Sequence, residues 1–141
     1  MKRKIVLGVV LTVVVIITVI ALLMYHKPHT VIATEKAAYK LSASELGEAF
    51  SKDEGLANAL YAGKVLEVTG TLKEIIMNDN TPILMMGEPS GMTSVSCYLQ
   101  RENKDKARTL KTGTQITVKG VCNGFLVDVV LDKCILLQSG E

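Results

Sequence analysis

Two short segments limit what this chain can become. Lys64 to Leu72, K-V-L-E-V-T-G-T-L, sets Leu66, Val68, Gly70 and Leu72 on one side of a strand-period alternation. Gln115 to Cys122, Q-I-T-V-K-G-V-C, repeats the scheme with Ile116, Val118, Gly120 and Cys122. A glycine inside a strand weakens packing and marks a bulge or a barrel corner, where a small closed sheet must turn sharply. The pair therefore predicts two coiled strands of one small barrel.

The 141 residues suffice for one domain of about 100 residues and one further element. That element is Ile5 to Met24, which carries no charge over 20 residues. A helix of that length, at ~1.5 Å per residue, matches the ~30 Å hydrocarbon thickness of a bilayer. Its Val, Ile and Thr residues are poor helix formers in water, but in lipid the backbone must satisfy itself internally. Lys2, Arg3 and Lys4 precede the run and Lys27 follows it, which predicts a cytoplasmic tail over 1–4, a membrane anchor over 5–24 and an extracytoplasmic remainder. A cleaved signal peptide ending at Val31-Ile32-Ala33 is the rival reading. The apolar run is longer than a signal core of about 7–15 residues, and Ala33 lies well past its end. No cysteine stands near the end of the run for lipid attachment.

The first 24 residues hold three of the 16 basic side chains and none of the 14 acidic ones, leaving 13 against 14, a net −1, for the rest. A near-neutral domain has no electrostatic footprint for phosphate backbones. Residues 25–40, with both histidines, read as a stalk. Ser42 and Glu45 have capping-box spacing, and Leu46, Ala49, Phe50, Ala57 and Leu60 recur at helical intervals, predicting a helix packed against the barrel. After the first barrel strand, Asn78 to Pro82 is a turn, Ile83 to Met86 a second strand, and Val95, Cys97 and Leu99 alternate as a third. Glu102 to Leu110 reads as a short helix, Asn123-Gly124 as a turn, and Val127 to Leu137 as the fifth strand. Three strands, a helix and two strands is the order of an OB-fold, a five-stranded Greek-key barrel, here over 41–138. An SH3-like barrel is the alternative, but it would not normally carry a helix between its third and fourth strands.

The segments Tyr61-x-Gly63-Lys64-Val65-Leu66-Glu67-Val68-Thr69-Gly70, Val95-Ser96-Cys97-Tyr98, Leu110-Lys111-x-Gly113 leading to Val118-Lys119-Gly120, and Cys134 together resemble the tRNA_anti-like domains of small exported or membrane-anchored bacterial proteins. The resemblance implies an OB-fold outside the cytoplasm. It implies no catalytic signature and no ligand.

OB-folds bind over their second and third strands and in the loops joining strands one to two and four to five. Those places offer Asn78, Tyr98, Asn123 and Phe125 as candidate binding residues. Two aromatic residues among interleaved charges make a poor stacking platform, so nucleic acid is disfavoured and a half-buried Tyr98 with a barrel-capping Phe125 is the plainer reading. Cys97, Cys122 and Cys134 lack C-x-x-C spacing, and His26 and His29 fall in the stalk, so neither a metal site nor a thiol nucleophile is expected. The third and fifth strands of an OB barrel are neighbours, which makes Cys97 and Cys134 the candidate disulfide, with buried free thiols as the alternative. A haem chaperone of similar layout carries a histidine followed four residues on by tyrosine, and Asp132 to Glu141 contains neither. No cofactor is expected, and no hydrolase or transferase motif appears. The expected function is a non-enzymatic, membrane-anchored OB module for a protein or envelope component. The alternative is an oligonucleotide- or oligosaccharide-binding domain.

Overall fold

The computed structural model describes residues 1–25 and 32–140, without the side chains of 2–4, 7 and 23–25. The chain falls into two compact units, Met1–Val31 and Ile32–Glu141. The first contains one helix, α1 (Lys2–Tyr25), in which Thr12 and Thr18 return their hydroxyls to the carbonyls of Gly8 and Val14. Among the described residues no helix is long and apolar enough to cross a membrane. The expected span of 5–24 runs through Leu7, Leu23 and Met24, whose side chains lie outside the described residues, as do His26 and His29 entirely.

The second unit is built on β2 (Val65–Asn78), 14 residues long. Its first half pairs antiparallel with β5 (Gln115–Phe125) from Val65↔Val121 to Thr71↔Gln115. After an irregularity between Leu72 and Glu74, its second half pairs with β3 (Thr81–Met86). One strand thus serves two walls, and the bulge between its halves supplies the bend. β3 continues to β4 (Val95–Leu99), β4 pairs parallel with β6 (Val129–Ser139), and β6 returns antiparallel to β5. The ring β2-β3-β4-β6-β5 closes on β2 and makes the five-stranded barrel.

The two inward glycines have separate reasons. At Gly70 a Cβ would come within 2.7 Å of the Ala43 Cβ, so the strand admits the start of a helix. At Gly120 a Cβ would fall on Cys134 Sγ and 3.0 Å from the Asp132 carbonyl. Opposite Gly120, β6 carries one extra residue between its pairings with Lys119 and Val121, and Lys133 takes a left-handed φ of 52°. Alternation from Leu131 would turn Lys133 into the core; the bulge leaves Lys133 exposed and buries Cys134 instead. Two hydrogen bonds hold it to the end of β4: Gln100 Nε2 to the Lys133 carbonyl at 3.0 Å, and the Gln100 amide to the Cys134 carbonyl at 2.9 Å.

Several elements differ from the expectation. Tyr39–Ser42 is a strand, β1, that pairs parallel with β2 at the end of the expected stalk. The preceding helix is two helices, α2 (Ala43–Lys52) and α3 (Glu54–Tyr61), because Asp53 leaves helical geometry and its carboxylate accepts from the Leu56 amide at 2.9 Å. Ser42 and Glu45 do form the reciprocal capping box. The link from β4 to β5 is a 3₁₀ turn, Arg101–Asn103, followed by α4 (Lys104–Thr109). Asn123-Gly124 is no turn: Gly124, with φ of 101°, sits in the third irregularity of the β5–β6 pairing, and the chain reverses at residues 126–128. The core inside the barrel is led by Leu66, Leu72, Leu84, Met86, Ile116 and Leu131, all shielded from solvent.

Candidate ligand-binding face

On the wall made by the second half of β2 with β3 and β4, alternation turns one row of side chains outward. Glu74, Met85 and Ser96 are cross-strand partners, and beside them lie Ile76, Ile83 and Tyr98. Ile76 is 40% and Tyr98 38% exposed, with Ile83 nearly covered between them. The hairpin turn Asp79-Asn80, both at positive φ (41° and 71°), closes one end of this wall. Lys104 of α4 donates to Asn80 Oδ1 and steadies that turn. At the other side Ser96 Oγ lies 3.1 Å from Met85 Sδ and 3.3 Å from Asp128 Oδ2. Its single proton can serve either acceptor, the carboxylate being the stronger. That contact ties the β5–β6 turn to the wall, and Leu126 and Val127 at its tip are almost wholly exposed.

The four candidate binding residues do not form one site. Asn78 lies on the open wall, paired with Thr81 and on the outward alternation of Ile76. Tyr98 is there too. Phe125 is not: its ring stacks on Phe50 of α2 with centroids 6.1 Å apart and planes at 20°, and Phe50 continues to Tyr61 and Tyr61 to Tyr39. Its surface is taken by packing. Asn123 is exposed on β5, a strand that pairs with neither β3 nor β4. Alternation by itself missed Ile76, because the bulge after Leu72 inverts which residues of β2 face outward. Leu126 and Val127 had one legible signal, two apolar residues at the start of the last strand segment.

A shallow concavity of about 600 Å³ lies on the opposite wall, lined by Glu67, Thr69, Gln115, Thr117, Leu137 and Gln138. Three of its polar side chains are already engaged. Thr69 and Thr117 share a hydroxyl hydrogen bond of 2.9 Å, and Glu67 pairs with Lys40 at 3.1 Å. The wall bearing Tyr98 is the better candidate, because its apolar atoms have no such partners.

Cys97, Cys122 and Cys134 are buried free thiols. Cys97 and Cys134 lie on adjacent strands as expected, but Cys97 pairs with Leu131 and Cys134 with Leu99. A ~4.8 Å strand spacing and two ~3.3 Å steps put their Cα atoms about 8 Å apart. A bridge tolerates only ~7 Å without backbone movement, so the register disfavours the disulfide. Cys97 Sγ lies 3.7 Å from Met86 Sδ and also interacts with the Cys134 thiol. Burial, reinforced by the neighbouring Cys97, pushes the Cys134 thiol well above its ordinary value, and burial likewise raises Cys122. Both stay protonated, the opposite of an activated nucleophile. Among the described residues no group of three or more His, Cys, Asp or Glu is placed to hold a metal ion.

The closed barrel with its helix between β4 and β5 defines an OB-fold protein. The chain matches the tRNA_anti-like family over residues 1–136 and belongs to it. No curated protein matches it. Among solved structures it is similar to a protein of Klebsiella pneumoniae provisionally described as a nucleic acid-binding lipoprotein, at 15% identity and a TM-score of 0.62, over 80% of this chain and 100% of that one. It is also similar to one from Leishmania major provisionally described as an aspartyl-tRNA synthetase, at 15% identity and a TM-score of 0.50, over 76% of this chain but only 22% of that one. At such identity the likeness shows the fold alone.

Proposed function

We propose that this chain is a non-enzymatic binding module, anchored through Ile5 to Met24 with its amino terminus in the cytoplasm and its OB barrel outside, and that the wall of Ile76, Ile83, Met85 and Tyr98 takes a protein or envelope component. The observation that carries this reading is the wall itself. It is apolar and partly open, lies between two loops that OB-folds use for ligands, and has Glu74 and Asp128 as its nearby carboxylates. The uncharged run and the basic residues before it support the anchor and its orientation. Protease added to intact spheroplasts should digest the barrel; digestion only after lysis would reverse the orientation.

The second reading, a single-strand nucleic acid module, is favoured by the likeness to the lipoprotein structure. Against it, Phe125 is stacked away, which leaves Tyr98 as the one aromatic ring on the wall among the described residues. Titration of the full chain in detergent with labelled single-stranded DNA and RNA separates the two. The leading reading expects binding no tighter than the ~10⁻⁴ to 10⁻⁶ M of non-specific contacts at physiological salt. Sub-micromolar affinity that falls steeply with salt and is lost in Tyr98→Ala would establish the second.

A further inference from the structure

Lys119 is the one lysine that the barrel buries among the described residues, with 9% of its surface exposed. It stands on the outer face of β5, between Glu67 of β2 and Ile135 of β6. Lysine is almost never so covered unless its donors are engaged. Here Nζ donates to the carbonyl of Ala33 at 3.1 Å and to that of Glu35 at 3.0 Å, partners 86 and 84 residues distant. Ile32, immediately before them, is fully buried yet stands outside the barrel core, and the Ala38 amide reaches the Val65 carbonyl at 2.8 Å.

We infer that residues 32–38 form a strap latched to the outer wall of the barrel by the Lys119 ammonium. Backbone carbonyls have no charge to lose, so the charge in these two contacts comes from the ammonium: a neutralised Lys119, for instance an acetylated one, lacks the charge and two of the three donors. Release hands residues 32–38 to the connector that follows α1, adding roughly 20 Å of reach at ~3.3–3.6 Å per residue. What that reach means for distance from a bilayer rests on the anchor reading; the latch itself does not.

Lys36 provides the assay, because it is exposed and lies in the strap. The full chain in detergent is treated with trypsin, and cleavage after Lys36 is compared with cleavage after the exposed Lys111. Lys119→Met should speed cleavage at Lys36 at least about tenfold relative to Lys111, since two charge-assisted hydrogen bonds are lost and local opening becomes easier. Lys119→Arg should keep it near the native rate. An unchanged rate in a folded Lys119→Met variant overturns the latch. Should that variant fail to fold, acetylation of the native chain decides: Lys119 should react at least about tenfold more slowly than Lys36, and equal rates overturn the proposal. Both readouts are independent of which side of a membrane the barrel occupies, so they fail separately from the anchor.

Discussion

The two walls that share β2 are put to opposite uses. Along its first half, with β5 and β6, the outer surface is occupied: Lys119 lies under the strap, Thr69 is bonded to Thr117, and Glu67 is paired with Lys40. Along its second half, with β3 and β4, Ile76 and Tyr98 remain partly open, and no segment among the described residues covers them. One continuous strand can serve both because the irregularity between Leu72 and Glu74 re-aims its side chains midway. Closure leaves the five barrel strands without a free edge, and the added β1 is paired on one side, so among the described residues the barrel wall left open is the one bearing Ile76 and Tyr98.

If the occupied wall is structural and the open wall is not, substitutions on the two should separate cleanly. The largest effect is expected at Gly120→Ala, where the new Cβ meets Cys134 Sγ and the Asp132 backbone. Overpacking against backbone that cannot move should cost about 3 kcal/mol in urea unfolding, and a loss under 1 kcal/mol would mean the bulge at Lys133 yields freely. Gly70→Ala clashes with the Ala43 Cβ at the first residue of α2, which can shift, and makes ordinary contact with Met86, so about 2 kcal/mol is expected from the same measurement.

Next comes the cap that joins β1 to α2. Ser42→Ala removes the hydroxyl that accepts from the Glu45 amide at 3.1 Å and should cost about 1 kcal/mol. The same box carries a pH signature. Its hydrogen bonds from the Ser42 backbone and side chain hold the Glu45 carboxyl below its ordinary 4.5. A depressed folded value means the stabilisation is complete above about pH 4.5 and is lost as pH falls through the lower folded value. Native stability minus that of Glu45→Gln should therefore shrink on acidification through that window; a difference flat with pH would remove Glu45 from the cap. The smallest effect belongs to the open wall. Tyr98→Ala should change stability by no more than about 0.5 kcal/mol while weakening whatever the wall binds. A large destabilisation there would show that the wall is core and would undo the contrast.

Much of the barrel was legible because its signals are local. The alternation through Leu66, Val68 and Leu72, the Ser42–Glu45 spacing, and the two inward glycines each depend on residues within a few positions of one another. The third strand and the helix after it were placed for the same reason. The candidate site was half legible: Asn78 and Tyr98 fall on the open wall, whereas Phe125 packs as the plainer reading had it, against Phe50, a partner 75 positions earlier that no local pattern could name.

The sequence by itself determined the order of the five barrel strands, the capping box and the inward placing of Gly70 and Gly120, while the close contacts those glycines permit came from the tertiary structure. Tertiary structure alone decided that Cys134 rather than Lys133 turns inward, that Tyr39–Ser42 joins the sheet as a strand, and that Lys119 is covered by residues 32–38. The physical reason is the range of the interactions. Periodicity and capping are settled by neighbours along the chain, whatever the rest does. A bulge, an added parallel strand or a buried ammonium becomes favourable only when a distant segment brings the partner that satisfies it.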